Sequence, residues 1–528
     1  MFSRRDKNQT VRRQHLDATW WGNAQARPAG PMFATPDSVW PGVLLGLMMA
    51  MVFYLPNLAQ IRIETGVRGV NPANILFVLM LGVLALAGYR PSEPTPLKLP
   101  ILLFILVLTW AFLIALVGDS SAWVEDMTVY KNAVFYLLLY FLYFHAVRDM
   151  KTVRILVLLI LFVMFTSGVL GVRQAMDYGL GTFNENKRVA APFGWAVNDA
   201  NRSAVFFCIY LQLVGAVALF MKSRPWLRIA CVLIFFLGVF SIFHSYSRQA
   251  YFIMAVLLLL LAMRKQLLIA LFAATLLWHY ELWVPETVVH RIEMTTLDPF
   301  EVKSYKPQAP AFDAPVTSSG PLYGQLSELS FENPFRIVAP QTSAENPQAD
   351  QQYDESTESR FTLWAGAGEL MVQRPLGIGL NRFKREISPY VPHALAGKDA
   401  HNFYVLLATE AGVVAPLFLL ALLMGLLSLG HRLARFKDDE EARTLGVGFV
   451  MATLAVVLGN VYGSRFLDGD VMGNYWILAA LVARALLIKQ QEQRDRQQAA
   501  RAGLAPPAPP RSLATVKPAF PPPAARPR

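Results

Sequence analysis

The 528-residue chain carries 48 Lys and Arg against 37 Asp and Glu, and it is 54% hydrophobic but only 16% charged. Soluble domains carry about a quarter charged residues, so this deficit argues against an aqueous protein. The net charge of +11 points towards a nucleic-acid partner only until it is located: six basic and three acidic residues over 1–38, and eight basic and two acidic over 489–528, supply most of it. No basic surface interleaved with aromatics is left over, which argues against nucleic acid. Cys208 and Cys231 lie inside apolar runs, which disfavours a disulfide scaffold and a Cys-based metal site alike.

In chain order, residues 1–38 read as a cytoplasmic basic tail. A cleavable signal peptide would bring its apolar stretch earlier, and no apolar stretch closely follows the Arg4-Arg5 pair. Apolar runs long enough to cross a bilayer then recur at 39–59, 73–89, 99–118, 130–147, 153–172, 203–221, 227–243, 249–263, 266–284, 403–428, 444–464 and 471–488. The predicted fold is an all-α polytopic membrane protein of about 12 transmembrane helices. Helices 1–9 lie in 39–284 and helices 10–12 in 403–488, with a large outside loop, 285–402, before the tenth. Arg264-Lys265 is the only break between the eighth and ninth spans, and reads as a tight turn. An even count puts both termini on one side. If that side is the cytoplasm, its five short loops hold fourteen basic residues, more than the short loops opposite, as the positive-inside rule requires.

Within the outside loop, 299–350 is rich in Pro, Gln, Ser and Ala and reads as irregular. Over 357–373, Phe361, Trp364, Gly368 and Met371 recur at helical spacing, which predicts an amphipathic helix lying on the outer leaflet. It stops before Arg374-Pro375, and a turn with Gly377 and Gly379 follows. The final stretch 489–528 reads as a cytoplasmic Pro-rich disordered tail, with nine prolines in 505–528.

Candidate chemistry lies where ionisable residues stand at the outer ends of helices, against the positive-inside bias. Three outside loops end just before a helix and leave such a residue at its start: Arg202 in Asn198-Asp199-Ala200-Asn201-Arg202, Arg248 in His244-Ser245-Tyr246-Ser247-Arg248, and His401 in Asp399-Ala400-His401-Asn402. Helix N-termini offer unsatisfied N–H groups and partial positive charge, so three on one face suit a phosphate or diphosphate. Each also has a plainer reading: the arginines can snorkel to headgroups, Asp399 can be a cap, and His401 can be an interfacial histidine. Near its ordinary pKa, His401 could accept a proton from a hydroxyl. Glu410 lies nine residues on, on the opposite face of a regular helix, and reads as structural; Gly412 and Pro416 should kink that helix. The other histidines show no metal-ligand spacing, and His393 is the one near rival to His401.

Four pieces resemble the bacterial O-antigen ligase superfamily, which includes Wzy-type polysaccharide polymerases and protein O-oligosaccharyltransferases. They are Asn201-Arg202-Ser203; Ser247-Arg248-Gln249-Ala250; Arg360-Phe361-Thr362-Leu363-Trp364 through Pro375-Leu376-Gly377-Ile378-Gly379-Leu380-Asn381-Arg382-Phe383; and Ala400-His401-Asn402-Phe403-Tyr404 through Glu410-Ala411-Gly412. The resemblance covers about 40–488 and leaves out 299–350 and the Pro-rich tail. It implies a multi-pass protein of the bacterial inner membrane with both termini cytoplasmic. It further implies a periplasmic-face glycosyltransferase of surface polysaccharide biosynthesis, whether of lipopolysaccharide or exopolysaccharide. Such an enzyme moves a glycan from a polyprenyl-diphosphate carrier to a hydroxyl of a glycan, lipid or protein acceptor, with no metal or cofactor. Carried over by motif, Arg202 and Arg248 hold the diphosphate, Arg360 helps bind the donor, and His401 activates the acceptor. The competing reading is a membrane transporter of an anion such as bicarbonate or a sugar phosphate. Against it, the halves show no internal repeat, and the span centres carry few charges.

Overall fold

The computed structural model describes residues 40–58, 60–61, 71–87, 89, 94–118, 120–180, 187–194, 199–293 and 355–502. The predicted N-terminal tail, the irregular 299–350 stretch and the prolines of 505–528 lie outside the described residues. Those described form helices joined by turns, with no strand among them. In order the helices are α1 (Trp40–Tyr54), α2 (Pro72–Leu86), α3 (Lys98–Gly118), α4 (Trp123–Ala146), α5 (Met150–Tyr178), α6 (Ala200–Phe220), α7 (Pro225–His244), α8 (Arg248–Lys265), α9 (Leu267–Trp278) and α10 (Glu286–Glu293). After the loop come α11 (Glu355–Gln373), α12 (Phe403–Ala411), α13 (Ala415–Ala434), α14 (Glu440–Gly459) and α15 (Gly469–Arg501).

Nine helices among the described residues are long and apolar enough to cross a membrane, while α2 and α9 are apolar but shorter. These helices make the protein a polytopic membrane protein. At their ends the sequence supplies caps where N–H groups would otherwise be orphaned. Asn71 caps α2, Asp149 caps α5 and Asp439 caps α14, each through a side-chain oxygen. The predicted break between the eighth and ninth spans falls at Gln266, whose extended backbone ends α8 and opens α9.

α6 and α15 form the centre: 89% of the apolar window of each is buried inside the protein, against 33% for α3 and α7. A helix apolar on all sides suits such a position. Lipid gives helices little hydrophobic reason to associate, so close backbone contact matters. At the α13–α14 crossing, a Cβ on Gly446 would sit 2.7 Å from the Gly430 carbonyl oxygen, so only glycine lets these backbones meet. Two polar side chains in this core reach carbonyls on neighbouring helices: Asn474 donates to Val52 O at 3.0 Å, and the Arg484 guanidinium donates to Phe144 O while lying 4.3 Å above the Phe144 ring.

Three expectations change. The 403–428 span is two helices, α12 and α13, because Gly412 takes φ +103° and breaks the ladder ahead of Pro416; the helix of crossing length is α13. The last helix does not end at 488 but continues to Arg501, into the predicted tail. Residues 489–501 are helix formers without Gly or Pro, and the Lys489–Glu492 and Gln491–Asp495 pairs support them. The amphipathic helix is present as α11, but its buried stripe is Leu363, Ala367 and Leu370, one register over from the predicted one. α11 packs on α12 and on the 387–400 segment, not on a lipid surface alone: Leu363 and Ala367 cluster with Phe383, Ile387, Val391 and Ala400.

Candidate active site

The starts of α6, α8, α12 and α15 and the ends of α7 and α14 come together at one end of the bundle, around the 460–468 connector between α14 and α15. Each motif touches that connector or its flanking helix ends. Arg202, in the first turn of α6, forms ion pairs with Asp199 at 3.3 Å, with Asp468 at 3.6 Å and with Asp470. Its guanidinium also lies 5.1 Å above the Phe193 ring. Gln249, beside Arg248 at the start of α8, donates to Gly459 O at 2.8 Å. The His401 turn is tied in by the Phe403 N–H, which faces Asn460 O at 3.0 Å and Gly463 O at 3.1 Å.

Arg188 joins the two arginine motifs to each other. Its guanidinium donates to Ser245 O at 2.8 Å and to Asn201 Oδ1 at 2.7 Å, and its neighbour Val189 donates its N–H to His244 O at 2.9 Å. Arg202 and Arg248 therefore stand on elements fixed to each other and to the connector. They differ in setting. Three carboxylates already offset the charge of Arg202, while Arg248 is the half-buried first residue of α8, where the helix dipole adds positive potential.

His401 takes φ +50°, an uncommon backbone region for a residue with a Cβ. Its neighbours hold it there. The Ala400 carbonyl accepts from Trp364 Nε1 at 2.8 Å, and Asn402 caps α12 by accepting from the Tyr404 and Val405 N–H groups at 2.9 and 3.1 Å. Asn402, not Asp399, is thus the cap. Phe403 stacks on Phe466 of the connector, centroids 5.2 Å apart, and Phe466 packs edge-on against Phe104 and Trp476. The turn rests on a layer of aromatic rings. Partial burial pushes the His401 imidazole below the ordinary histidine value; Asp399 pulls it back, and Arg360, Arg465 and Lys384 add to the downward push. The neutral ring, able to accept a proton, is thereby favoured near neutral pH.

Arg360, in the second turn of α11, lies 5.7 Å from the centroid of the Tyr462 ring, on the same connector. Arg465 donates to Asp468 at 3.1 Å, and its backbone N–H to Asn460 Oδ1 at 2.9 Å. Arg202 and Arg465 thus share Asp468, and Arg465 is near enough to act on His401. The four residues singled out from sequence all reach this end of the bundle. His393 lies apart, exposed in a short 3-10 turn.

Glu410 has the structural role expected of it. Its side chain accepts from Phe383 N at 3.2 Å and faces the N–H groups of Asn381 and Arg382. Around it the 375–383 segment is stitched down: Ile378 N donates to Thr409 O, Gly379 N to Glu410 O, and Leu380 N to Ala111 O on α3. Gly377 and Gly379 take φ +103° and +101°, and a Cβ on Gly379 would lie 2.6 Å from Ala115 Cα. The two glycines are therefore contact points for backbone. Arg382, buried to 5% exposure, pairs at 2.5 Å with Asp126 of α4, which is fully buried.

Sequence reasoning missed Arg188, Arg465, Lys384 and the Arg382–Asp126 pair. Arg188 and Arg465 carried the same signal as the chosen arginines, a basic residue in an outside loop, but stood at no helix start.

Residues 233–420 match the family model of O-antigen ligase (Wzy_C), a stretch that includes Arg248, Arg360 and His401 and leaves Arg202 outside it. No curated protein matches the chain. The matched region runs from α7 into the first turns of α13 and bears out the resemblance read from the motifs. It supports a glycosyltransferase-type role in surface polysaccharide biosynthesis. Over residues 233–420, this polytopic membrane protein is similar to the O-antigen ligase family.

Proposed function

We propose that this end of the bundle faces the periplasm and transfers a glycan from a polyprenyl-diphosphate carrier to an acceptor hydroxyl, with His401 as general base. The observation that carries this reading is the convergence of the arginine motifs and the His401 turn on the 460–468 connector. The acceptor oxygen gives its proton to the neutral His401 imidazole and attacks the anomeric carbon of the donor sugar. The bond from that carbon to the diphosphate oxygen breaks, and its electron pair leaves with the diphosphate. Cations placed where that charge develops lower the barrier. Arg248 and Arg360 are suited to this task by position, and Arg465 also acts on His401. Arg202 belongs to the same donor site; its carboxylate partners also give it the work of fastening α6 to α15.

The test is glycan transfer from purified lipid-linked donor by reconstituted protein. His401→Ala should lose about 10²–10⁴-fold in rate, the usual contribution of a general base. Unchanged transfer by correctly inserted His401→Ala would overturn the assignment. Glycan analysis of a deletion strain identifies the acceptor class. Carrier-linked long glycan marks a ligase, loss of the length ladder with one repeat still attached marks a polymerase, and glycan missing from protein alone marks an oligosaccharyltransferase.

A further inference from the structure

At the opposite end of the bundle, the ends of α6, α8 and α13 and the start of α14 surround a cavity of about 410 Å³. Arg264, His431, Arg435, Lys437 and Arg443 line it, over a floor that includes Phe220, Ala434 and Val447. No carboxylate lines the cavity. Lys265 adds to the same field: its ammonium lies 5.1 Å from the Phe220 ring centroid, and the Arg443 guanidinium lies 5.5 Å from it.

A basic bias at this end is expected of any membrane protein obeying the positive-inside rule. Convergence on a cavity whose wall holds no carboxylate is not, because the run 438–441 offers four acids right beside it. Asp439 pairs with Lys489 at 2.9 Å, Glu440 accepts from the Ser223 N–H and hydroxyl, and Glu441 pairs with Arg154 at 2.7 Å. Asp438 and Asp439 line an adjoining surface pocket, whose wall also includes Arg435 and Lys437. The acids thus lie outside the cavity wall, and the cations Arg264, Arg435, Lys437 and Arg443 face its interior with no acid among the lining residues. Beside the cavity, Leu260, Val450 and Leu454 stand half-buried along α8 and α14, next to the cluster of Phe220, Leu261, Val447 and Met451.

The geometry points to a binding site for the phosphate-bearing headgroup of an anionic phospholipid, its acyl chain lying along the half-buried strip between α8 and α14. The cations answer the phosphate through charge-assisted hydrogen bonds, and the strip answers the chain. This site is remote from the His401 end and does not depend on the glycosyl-transfer reading.

The experiment is native mass spectrometry of the full chain in detergent, titrated with phosphatidylglycerol, phosphatidylcholine or inorganic phosphate. Phosphatidylglycerol should be retained and phosphatidylcholine not. Arg435→Gln/Arg443→Gln should weaken retention about 30-fold, the expected effect of removing two cations near a lipid surface. Lys98→Gln/Lys151→Gln, which removes two charges elsewhere at the same end, should leave it unchanged. If the first double variant does not fold, Arg264→Gln/Lys437→Gln provides the same comparison. Equal weakening by the cavity variant and the Lys98/Lys151 control would overturn the site. So would binding of inorganic phosphate with no preference for phosphatidylglycerol, which marks a free-anion site instead.

Discussion

Removing Asp126 should release the segment that carries the Gly377–Phe383 motif, and the size of the effect follows from burial. Asp126 is fully buried and Arg382 is 5% exposed, so Asp126→Ala leaves a guanidinium inside the protein without its carboxylate, with the neutral Ala115 carbonyl at 3.3 Å no substitute for that charge. Breaking one side of a buried pair costs about 3–5 kcal/mol. Lys384 and Arg385 are exposed and lie just beyond Arg382, which makes them trypsin sites that report on this segment. When opening is fast relative to cleavage, the cleavage rate follows the open population, so a loss of this size should raise it on the order of 10²–10³-fold. The assay is limited trypsinolysis of purified protein in detergent, with the cut mapped by mass. Asp126→Leu/Arg382→Met should recover much of the protection, because an apolar pair of similar volume can replace a buried ion pair without net cost. If Asp126→Ala is cut at Lys384-Arg385 no faster than the parent, or the double variant is no better than the single one, the pair does not hold the segment.

The acid limb of the transfer rate should lie below pH 6.5. Burial lowers the folded pKa of His401, so the neutral base is present above that value and is lost as pH falls through it. Lys384→Gln removes one of the cations that push the imidazole down, so the limb should move up in pH with little change in the plateau; an unmoved profile would remove His401 as the titrating base. Gly377→Ala would put its Cβ against the Glu410 carbonyl oxygen at φ +103°, and should cost expression or thermal stability through that backbone contact. Asp470→Asn should lower melting temperature through the α6–α15 junction, a loss that Arg202→Gln should not add to in full if the two act as one pair.

Much of the bundle was legible because a crossing helix states itself in length and apolarity, and each predicted span has a helix. What failed to show were breaks set by contacts across the chain. Gly412 interrupts 403–428 since the Pro375 carbonyl bonds the Val413 N–H and the Gly377 backbone presses on Glu410. The apolar run gave no sign of that neighbour. The register of α11 was misjudged for a related reason: Phe361 and Trp364 are its largest apolar residues, yet they stay half-buried beside Tyr462 while smaller Ala367 goes fully inside. Helical spacing alone fits more than one face of α11, and proximity to α12 decided which face is buried. At the candidate site, Arg202, Arg248, Arg360 and His401 were recognisable from motifs. Arg188 and Arg465 were not, because their importance lies in which motifs they join, and a linear sequence does not show junctions.

Arg202 and one wall beside His401 are anchored to different bodies. Arg202 reaches Asp468 and Asp470 where α15 begins, so it is mounted on the two most buried of the described spans. The wall opposite, from Leu363 and Ala367 to Ile387, Val391 and Ala400, has a small apolar cluster of its own, separate from the main core. One half of the end is therefore masonry and the other a fitted panel. Substitutions that reshape the panel away from Arg360 can change what is admitted beside His401 without loosening Arg202, so altered acceptor preference is to be sought by mutating the buried face of α11 and the 387–400 segment before any helix of the bundle.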